Sequence, residues 1–370
     1  MIKKLVRLVL FIALVFGING VICLATIPGY DVSRFQNHYI AKDKNKYEVL
    51  IFGASDAMNQ FDPRVADRVL GKETFNCGMF GTYYMGGQVY ANFLNAITYQ
   101  NPDTVILCVA DCNEDNSDEL EKTKSFGAAS YHYYGNEMRN KFAKWQAYVR
   151  TSKYDNALEK IFEWKTQWVE DFDENTPRRI TEGFRLLTEK GYWTYDEEWR
   201  KESDPRNKDY YKGFSSEMQH DWLEDAKNCE FEEFSGDYPD YGDVLVDGCD
   251  IEDIARYCNK HDIRIVMIPS ITSRYSIASH INERLNFWAY VKRLAEQSGA
   301  EYYNPNIYRK DFVEFLDEDF AEDNHLNKEG SAKFTESICF LMNERQDGKN
   351  TDKYFYSDMS EWLNDLYKSF

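Results

Sequence analysis

Short apolar runs alternate with amphipathic stretches in two parts of the chain, one near its start and one near its end. Uninterrupted apolar runs of this length are typical of strands buried on both faces, and the stretches between them have a helical period. The pattern therefore predicts an α/β domain, with a central parallel sheet covered by helices on both faces. The predicted strands are 48–52, 73–77, 104–110, 263–269 and 301–303.

Residues that start and stop helices divide the stretches between these strands. Asp62 is a suitable N-cap, Pro63 suits a first helical turn, and Gly71 suits a helix end. An amphipathic helix is also expected at 352–370, where its aromatic side chains would pack on the domain rather than bind a partner. The other predicted helices are 83–99, 250–261, 278–299 and 328–343.

The middle of the chain, 115–242, lacks the short apolar runs of a parallel sheet and is rich in Trp, Tyr, Glu and Lys. Helical periodicity near 137–150 and 155–170 predicts a mostly helical insertion or cap. The α/β domain would then consist of two segments, 46–114 and 243–345, followed by a C-terminal helix in 346–370.

The N-terminus carries a membrane signal. Lys3, Lys4 and Arg7 precede an apolar run that reaches residue 27, which is just long enough to cross a bilayer. Positive charges stay in the cytoplasm, so we expect a single-pass anchor (1–27), a stalk (28–45) and a domain outside the cell membrane. A cleaved signal peptide is the alternative, and it also places the domain outside the cytoplasm.

The composition restricts the classes of partner. The chain has a formal net charge of −19 and a pI of about 4.8. Nucleic-acid surfaces need clustered Lys and Arg, so no nucleic-acid partner is expected. Docking on anionic lipid is disfavoured for the same reason.

The eight cysteines do not fix a redox state. Cys77 and Cys108 lie in strand-like surroundings and are predicted to be buried. One or two disulfides are possible within a second group, whose spacing selects no pairing: Cys112, Cys229, Cys249 and Cys258. No zinc-binding spacing is present, and we expect no metal and no cofactor. The acidic run 111–119 is a weaker candidate for a hard cation.

Two segments at opposite ends of the chain look like halves of one active site. Ser55 follows the first predicted strand, and His325 lies in a loop before the final helix, with Glu322 and Asp323 beside it. A serine, a histidine and a carboxylate are a nucleophile, a base and a group that orients the base. The alternatives are that Ser55 only caps a helix and that His325 is an exposed loop residue.

Two further strand ends have residues suited to an oxyanion hole. Gly81 follows the second strand, where a glycine lets a backbone N–H approach a substrate oxygen. Asn113 follows the third strand and could supply an amide donor. Each can also be read as part of an ordinary turn.

The order serine, glycine, asparagine, then acid and histidine resembles the SGNH (GDSL-type) hydrolase superfamily. The segments that carry the resemblance are Gly53-Ala54-Ser55, the glycine-containing segment 76–81, and His325-Leu326-Asn327 followed by Gly330. Membrane-anchored bacterial members, and the teichoic-acid D-alanylation and alginate acetylation proteins, have a similar layout of anchor and domain.

This resemblance implies a flavodoxin-like three-layer sandwich and a serine esterase or O-acyltransferase that acts outside the cytoplasm on an acylated cell-envelope glycan or a small ester. Ser55 would be the nucleophile, His325 the base, Glu322 or Asp323 its partner, and Gly81 with Asn113 the oxyanion hole.

Two departures from the family pattern support an alternative. Glu322 stands where the family has aspartate, and the register puts Cys112 where the family has asparagine. The alternative is a catalytically silent accessory protein that binds glycan or partners a membrane acyltransferase.

Overall fold

The computed structural model of this chain describes residues 2–26, 36, 39–79, 88–110, 142, 227–228, 230–235, 250–368 and 370; in 2–26 the side chains are described as far as residue 18. The predicted insertion, 115–242, lies almost wholly outside the described residues. So do Gly81, Asn113, Cys112, Cys229, Cys249 and the acidic run 111–119.

The domain is built on a parallel sheet of five strands with helices against it. The strand order is β2-β1-β3-β4-β5. The chain therefore moves outward from β1 to β2 and returns to the other side of β1 to form β3. The strands of this sheet are β1 (Val49–Gly53), β2 (Thr74–Asn76), β3 (Thr104–Val109), β4 (Arg264–Pro269) and β5 (Glu301–Tyr302).

Helices occupy the connections between the strands, and a short antiparallel ribbon precedes the last long helix. The helices are α1 (Ile2–Thr26), α2 (Ser55–Gln60), α3 (Pro63–Leu70), α4 (Gln88–Tyr99), α5 (Asp250–Lys260), α6 (Arg274–Ser279), α7 (Ile281–Ser298), α8 (Lys328–Gln346) and α9 (Met359–Tyr367). The ribbon consists of β6 (Phe320–Glu322) and β7 (His325–Leu326).

The side chains of alternate strand residues belong to two separate hydrophobic cores. Leu50 and Leu107 face a core that α4, α5 and α7 close, whereas Ile51 and Ile106 face a second core closed by α2 and α8. Because side chains alternate along a strand, this division means that the sheet is covered on both faces. The prediction of an α/β domain with a covered parallel sheet is confirmed, and the arrangement is compatible with a three-layer sandwich.

The predicted start and stop of α3 are confirmed. Asp62 is the N-cap and accepts a hydrogen bond of 2.9 Å from the Arg64 N–H, and Pro63 begins the helix. Gly71 ends it in the left-handed conformation, with φ of 66°.

Two predicted helices differ from the structure in more than their end residues, whereas α8 only continues three residues further than predicted, to Gln346. The expected helix over 278–299 is two helices, because His280 leaves the helical conformation (φ −135°, ψ 39°) between α6 and α7. In the tail, only α9 is a full helix after the short 3₁₀ turn Asp352–Tyr354. Trp362 and Leu366 of α9 pack beside Trp288 of α7, as expected of a tail that covers the domain.

Helix α1 exposes its apolar side chains over residues 2–18. In the part of the chain that the structure describes, no helix combines the length and the apolar character needed to cross a bilayer.

The predicted burial of Cys77 and Cys108 is confirmed, with 1% and 0% of their surfaces exposed. Cys258, which the sequence offered as a disulfide partner, is instead a buried thiol in the core beneath α5. The helix period directs its side chain to the sheet, so it faces away from any partner at the surface.

Candidate active site

Ser55 lies at the carboxyl end of β1, where the chain turns into α2. The N-cap of α2 is Ala54, in an extended conformation and without a side-chain cap, and Ser55 is the first helical residue. The Ser55 hydroxyl is therefore not the cap of this helix. It is half-buried and directed to the ring of His325.

The Ser55 hydroxyl, the His325 ring and the Glu322 carboxylate form one chain of hydrogen bonds. Ser55 Oγ lies 3.1 Å from His325 Nε2, across 270 residues of sequence. On the other side of the ring, Nδ1 lies 2.5 Å from Glu322 Oε1. Since an ionised carboxylate only accepts, the Nδ1 proton is donated to Glu322, and Nε2 is left to accept from Ser55.

The β6–β7 ribbon explains how Glu322 reaches the ring. Glu322 and His325 are paired across the ribbon, and residues 323 and 324 make its turn. Residues directly opposite each other in an antiparallel pair have adjacent side chains. The sequence predicted a loop here, and the short ribbon was missed because only four of its residues make ladder contacts.

Asp323 has a different partner. Its carboxylate accepts a hydrogen bond of 2.6 Å from Ser273 Oγ, and its carbonyl accepts one of 2.7 Å from the Ser273 N–H. Of the two acids that the sequence left open, only Glu322 is in hydrogen-bond contact with His325 among the contacts of the described residues. Asp323 instead fixes the ribbon to the start of α6.

Asp56 is a site residue that the sequence reasoning missed. It follows Ser55 directly, is 4% exposed, and places Oδ1 at 3.4 Å from His325 Nε2. A carboxylate at this distance stabilises a positively charged imidazole. The only feature of the sequence that points to Asp56 is its position next to Ser55. In a chain with 63 Asp and Glu residues, that position does not distinguish it from other acidic residues.

Residues at and just after the end of β2 hold α2 against the sheet. Asn76, at the end of β2, donates from Nδ2 to the carbonyls of Ala57 (2.7 Å) and Phe61 (2.9 Å). Gly78 passes so close to α2 that a Cβ there would lie 2.5 Å from the Met58 nitrogen. The glycine at this position is thus required by a close approach of two backbones.

The ribbon is held from the other side by α8. Asn327 caps α8 by accepting a 3.0 Å hydrogen bond from the Gly330 N–H, and it donates to the Glu318 carbonyl. A Cβ on Gly330 would collide with the Asp319 carbonyl, which precedes β6. The spacing of Asn327 and Gly330 in the sequence therefore corresponds to a tight contact between α8 and the ribbon.

The predicted oxyanion donors, Gly81 and Asn113, lie outside the described residues, so their roles stay predictions. Among the described residues, the candidate donors to an oxyanion are the backbone N–H groups in the first turn of α2, which starts at Ser55. The first N–H groups of a helix have no partner within the helix. No group of three or more His, Cys, Asp or Glu side chains in the described ranges is placed to hold a metal ion.

The arrangement is suited to proton transfer between a hydroxyl and an imidazole. His325 is only 8% exposed, so water competes little for its ring nitrogens. Ser55 follows the carboxyl end of β1. On one side of β1 lies β2 and on the other lies β3, so the strand order reverses direction at this point. Ligands of open parallel sheets bind at such a point, outside the carboxyl ends of the strands.

Comparison with known proteins gives no match to this chain, either among family models or among curated proteins.

Proposed function

We propose that this protein is a serine esterase or O-acyltransferase of the SGNH type. The observation that carries the proposal is the hydrogen-bonded series Ser55–His325–Glu322, built from residues at the two ends of the domain. The strand order 2-1-3-4-5 adds support, because it is the order of flavodoxin-like sheets and places Ser55 at the reversal point between β1 and β3.

The proposed reaction begins when Ser55 Oγ attacks the carbonyl carbon of an ester and His325 Nε2 takes the hydroxyl proton. Glu322 and Asp56 both face the resulting imidazolium and stabilise it. The oxyanion would bind the N-terminal amides of α2, with Gly81 and Asn113 as further proposed donors. His325 then returns the proton to the leaving alcohol, and an acyl-serine remains.

The second half of the reaction decides between hydrolysis and transfer. A water molecule or an acceptor hydroxyl gives its proton to His325 Nε2 and attacks the carbonyl carbon of the acyl-serine. His325 then returns this proton to Ser55 Oγ as the bond between Oγ and the acyl carbon breaks, which restores the free serine and the neutral imidazole. With water the protein is an esterase, and with a sugar hydroxyl it is an O-acyltransferase.

The proposed substrate is an acylated cell-envelope glycan or a small ester, on the outer side of a membrane. The support for this location is the sequence pattern alone: Lys3, Lys4 and Arg7 precede an apolar run, as in a membrane anchor or a cleaved signal peptide. A membrane acyltransferase is the proposed partner if the chain transfers acyl groups.

The test is covalent labelling of the purified chain with a fluorophosphonate, followed by peptide mapping. The wild-type chain is expected to be labelled at Ser55, because phosphonylation needs a hydroxyl that a base has activated. Ser55→Ala is expected to lose the label and the hydrolysis of p-nitrophenyl acetate. Unlabelled wild-type protein, or equal hydrolysis by both chains, would refute the enzyme and favour the silent accessory protein.

A further inference from the structure

Gln60 is a fully buried amide at the last position of α2, the helix that begins with Ser55. Its Nε2 donates to the Ile271 carbonyl at 3.1 Å and to the Asn324 carbonyl at 3.2 Å. Its Oε1 accepts from the Ile271 N–H at 3.3 Å. Both ends of the side chain are therefore engaged with backbone far away in the sequence.

A fourth contact comes from the centre of the sheet. Cys108 Sγ, near the end of β3, lies 3.6 Å from Gln60 Oε1. Burial raises the pKa of the Cys108 thiol well above its ordinary value, so the group keeps its proton and acts as the donor.

These contacts join three segments that end at the candidate active site. Ile271 follows β4, Cys108 is in β3, and Asn324 is the turn residue directly before His325. Because α2 has only six residues, Ser55 and Gln60 belong to one short rigid unit. Helix α2 thus carries the candidate nucleophile, Ser55, at its first residue. At its last residue, Gln60, it forms a hydrogen bond with the ribbon that carries His325.

We infer that Gln60 is a positioning residue that sets the distance between Ser55 Oγ and His325 Nε2. It touches neither group, and it acts through α2 and the β6–β7 ribbon. The inference rests on the proposed function, since the distance matters for catalysis only if Ser55 transfers a proton to His325. A displacement of about 1 Å in a site of this kind can lower the rate roughly 100-fold.

The chain contains a matched control for this residue. Gln100 is also a buried amide, 3% exposed, at the opposite end of the sheet. Its Oε1 accepts from the N–H groups of Lys46 and Tyr47, and its Nε2 donates to the carbonyls of Ile40 and Asp43. Replacing either amide leaves backbone groups buried without a hydrogen-bond partner, so we expect the two replacements to lower the free energy of unfolding by similar amounts.

The experiment compares Gln60→Met with Gln100→Met. For each variant we would measure the midpoint of thermal unfolding, kcat and KM for p-nitrophenyl acetate, and the rate of fluorophosphonate labelling. Both variants are expected to lower the unfolding midpoint. Gln60→Met should reduce kcat and the labelling rate roughly 100-fold with little change in KM. Gln100→Met should keep the kcat of the wild type.

Gln60→Asn is the second variant, in case Gln60→Met does not fold; it keeps a neutral amide at this position, and its side chain is one carbon too short to keep all of the contacts with Ile271 and Asn324. Its kcat is expected to fall in the same way. A Gln60 variant that folds and keeps the wild-type kcat, or that loses no more than Gln100→Met, overturns the inference. Wild-type protein without labelling at Ser55 overturns the proposed function as well, which separates the two failures.

Discussion

Glu322 and Asp323 are adjacent in sequence and have different surroundings. Glu322 lies opposite His325 in the ribbon and contacts Nδ1, whereas Asp323 lies in the turn and contacts Ser273. The direction of each side chain is a property of the ribbon, and it distinguishes a residue that orients the base from one that fixes the backbone.

This difference predicts unequal effects of two conservative substitutions. Glu322→Gln removes the charge beside the imidazole and should lower kcat roughly 100-fold or more. Asp323→Asn weakens one hydrogen bond and should cost about 1 kcal/mol in the free energy of unfolding, with little change in kcat. Steady-state kinetics and urea unfolding of both variants check the prediction, and a larger kcat loss in Asp323→Asn would contradict it.

At the scale of elements, the ribbon that carries His325 is too short to be stable alone. It has four paired residues, and its position depends on α8 behind it and on α2 beside it. The backbone of Gly330 touches Asp319 at the entrance to the ribbon, so this contact between α8 and the ribbon has no room for a side chain.

Gly330→Ala is therefore expected to destabilise the protein by about 1–3 kcal/mol, because the added methyl group must push the Asp319 backbone away. The same shift moves the ribbon and should lower kcat. Gly17→Ala is the control, since a Cβ at Gly17 meets no atom within 4 Å. Urea unfolding measures both variants. Equal free energies of unfolding for Gly330→Ala and the wild type would refute the tight contact.

At the scale of the whole molecule, the two cores on the faces of the sheet contain Cys77, Cys108 and Cys258, and a fourth buried cysteine among the described residues, Cys339, lies in α8. Burial raises the pKa of each of these thiols, that of Cys258 to about 12. The reactive thiolate is therefore scarce at neutral and mildly alkaline pH.

Iodoacetamide at pH 8 should leave Cys77, Cys108, Cys258 and Cys339 unmodified in the folded protein. Unfolding in urea brings the pKa of each thiol back to its ordinary range, so all four should then react. Peptide mass spectrometry measures the modification of each cysteine separately. Rapid modification of Cys258 in the folded chain, or its recovery in a disulfide, would contradict the buried assignment.

Much of the α/β domain was predictable from local pattern. The five strands of the sheet lie within one or two residues of their expected bounds. For β1, β3 and β4 the reason is that strands buried on both faces are apolar at successive positions. Asp62, Pro63 and Gly71 fixed α3 because each suits one position of a helix end. The extra start of α6 was not predictable, since Ser273 caps it while bonded to the distant Asp323.

Local properties of the chain, namely strand ends and residue chemistry, are enough to predict the class of fold and to nominate Ser55 and His325. Three further features follow from the packing of distant segments: Glu322 rather than Asp323 contacts the imidazole, Asp56 faces the same ring, and Gln60 joins α2 to the ribbon. These three depend on side-chain direction across contacts between distant segments. No spacing along the chain encodes that direction, since it arises when the ribbon and α2 pack against each other.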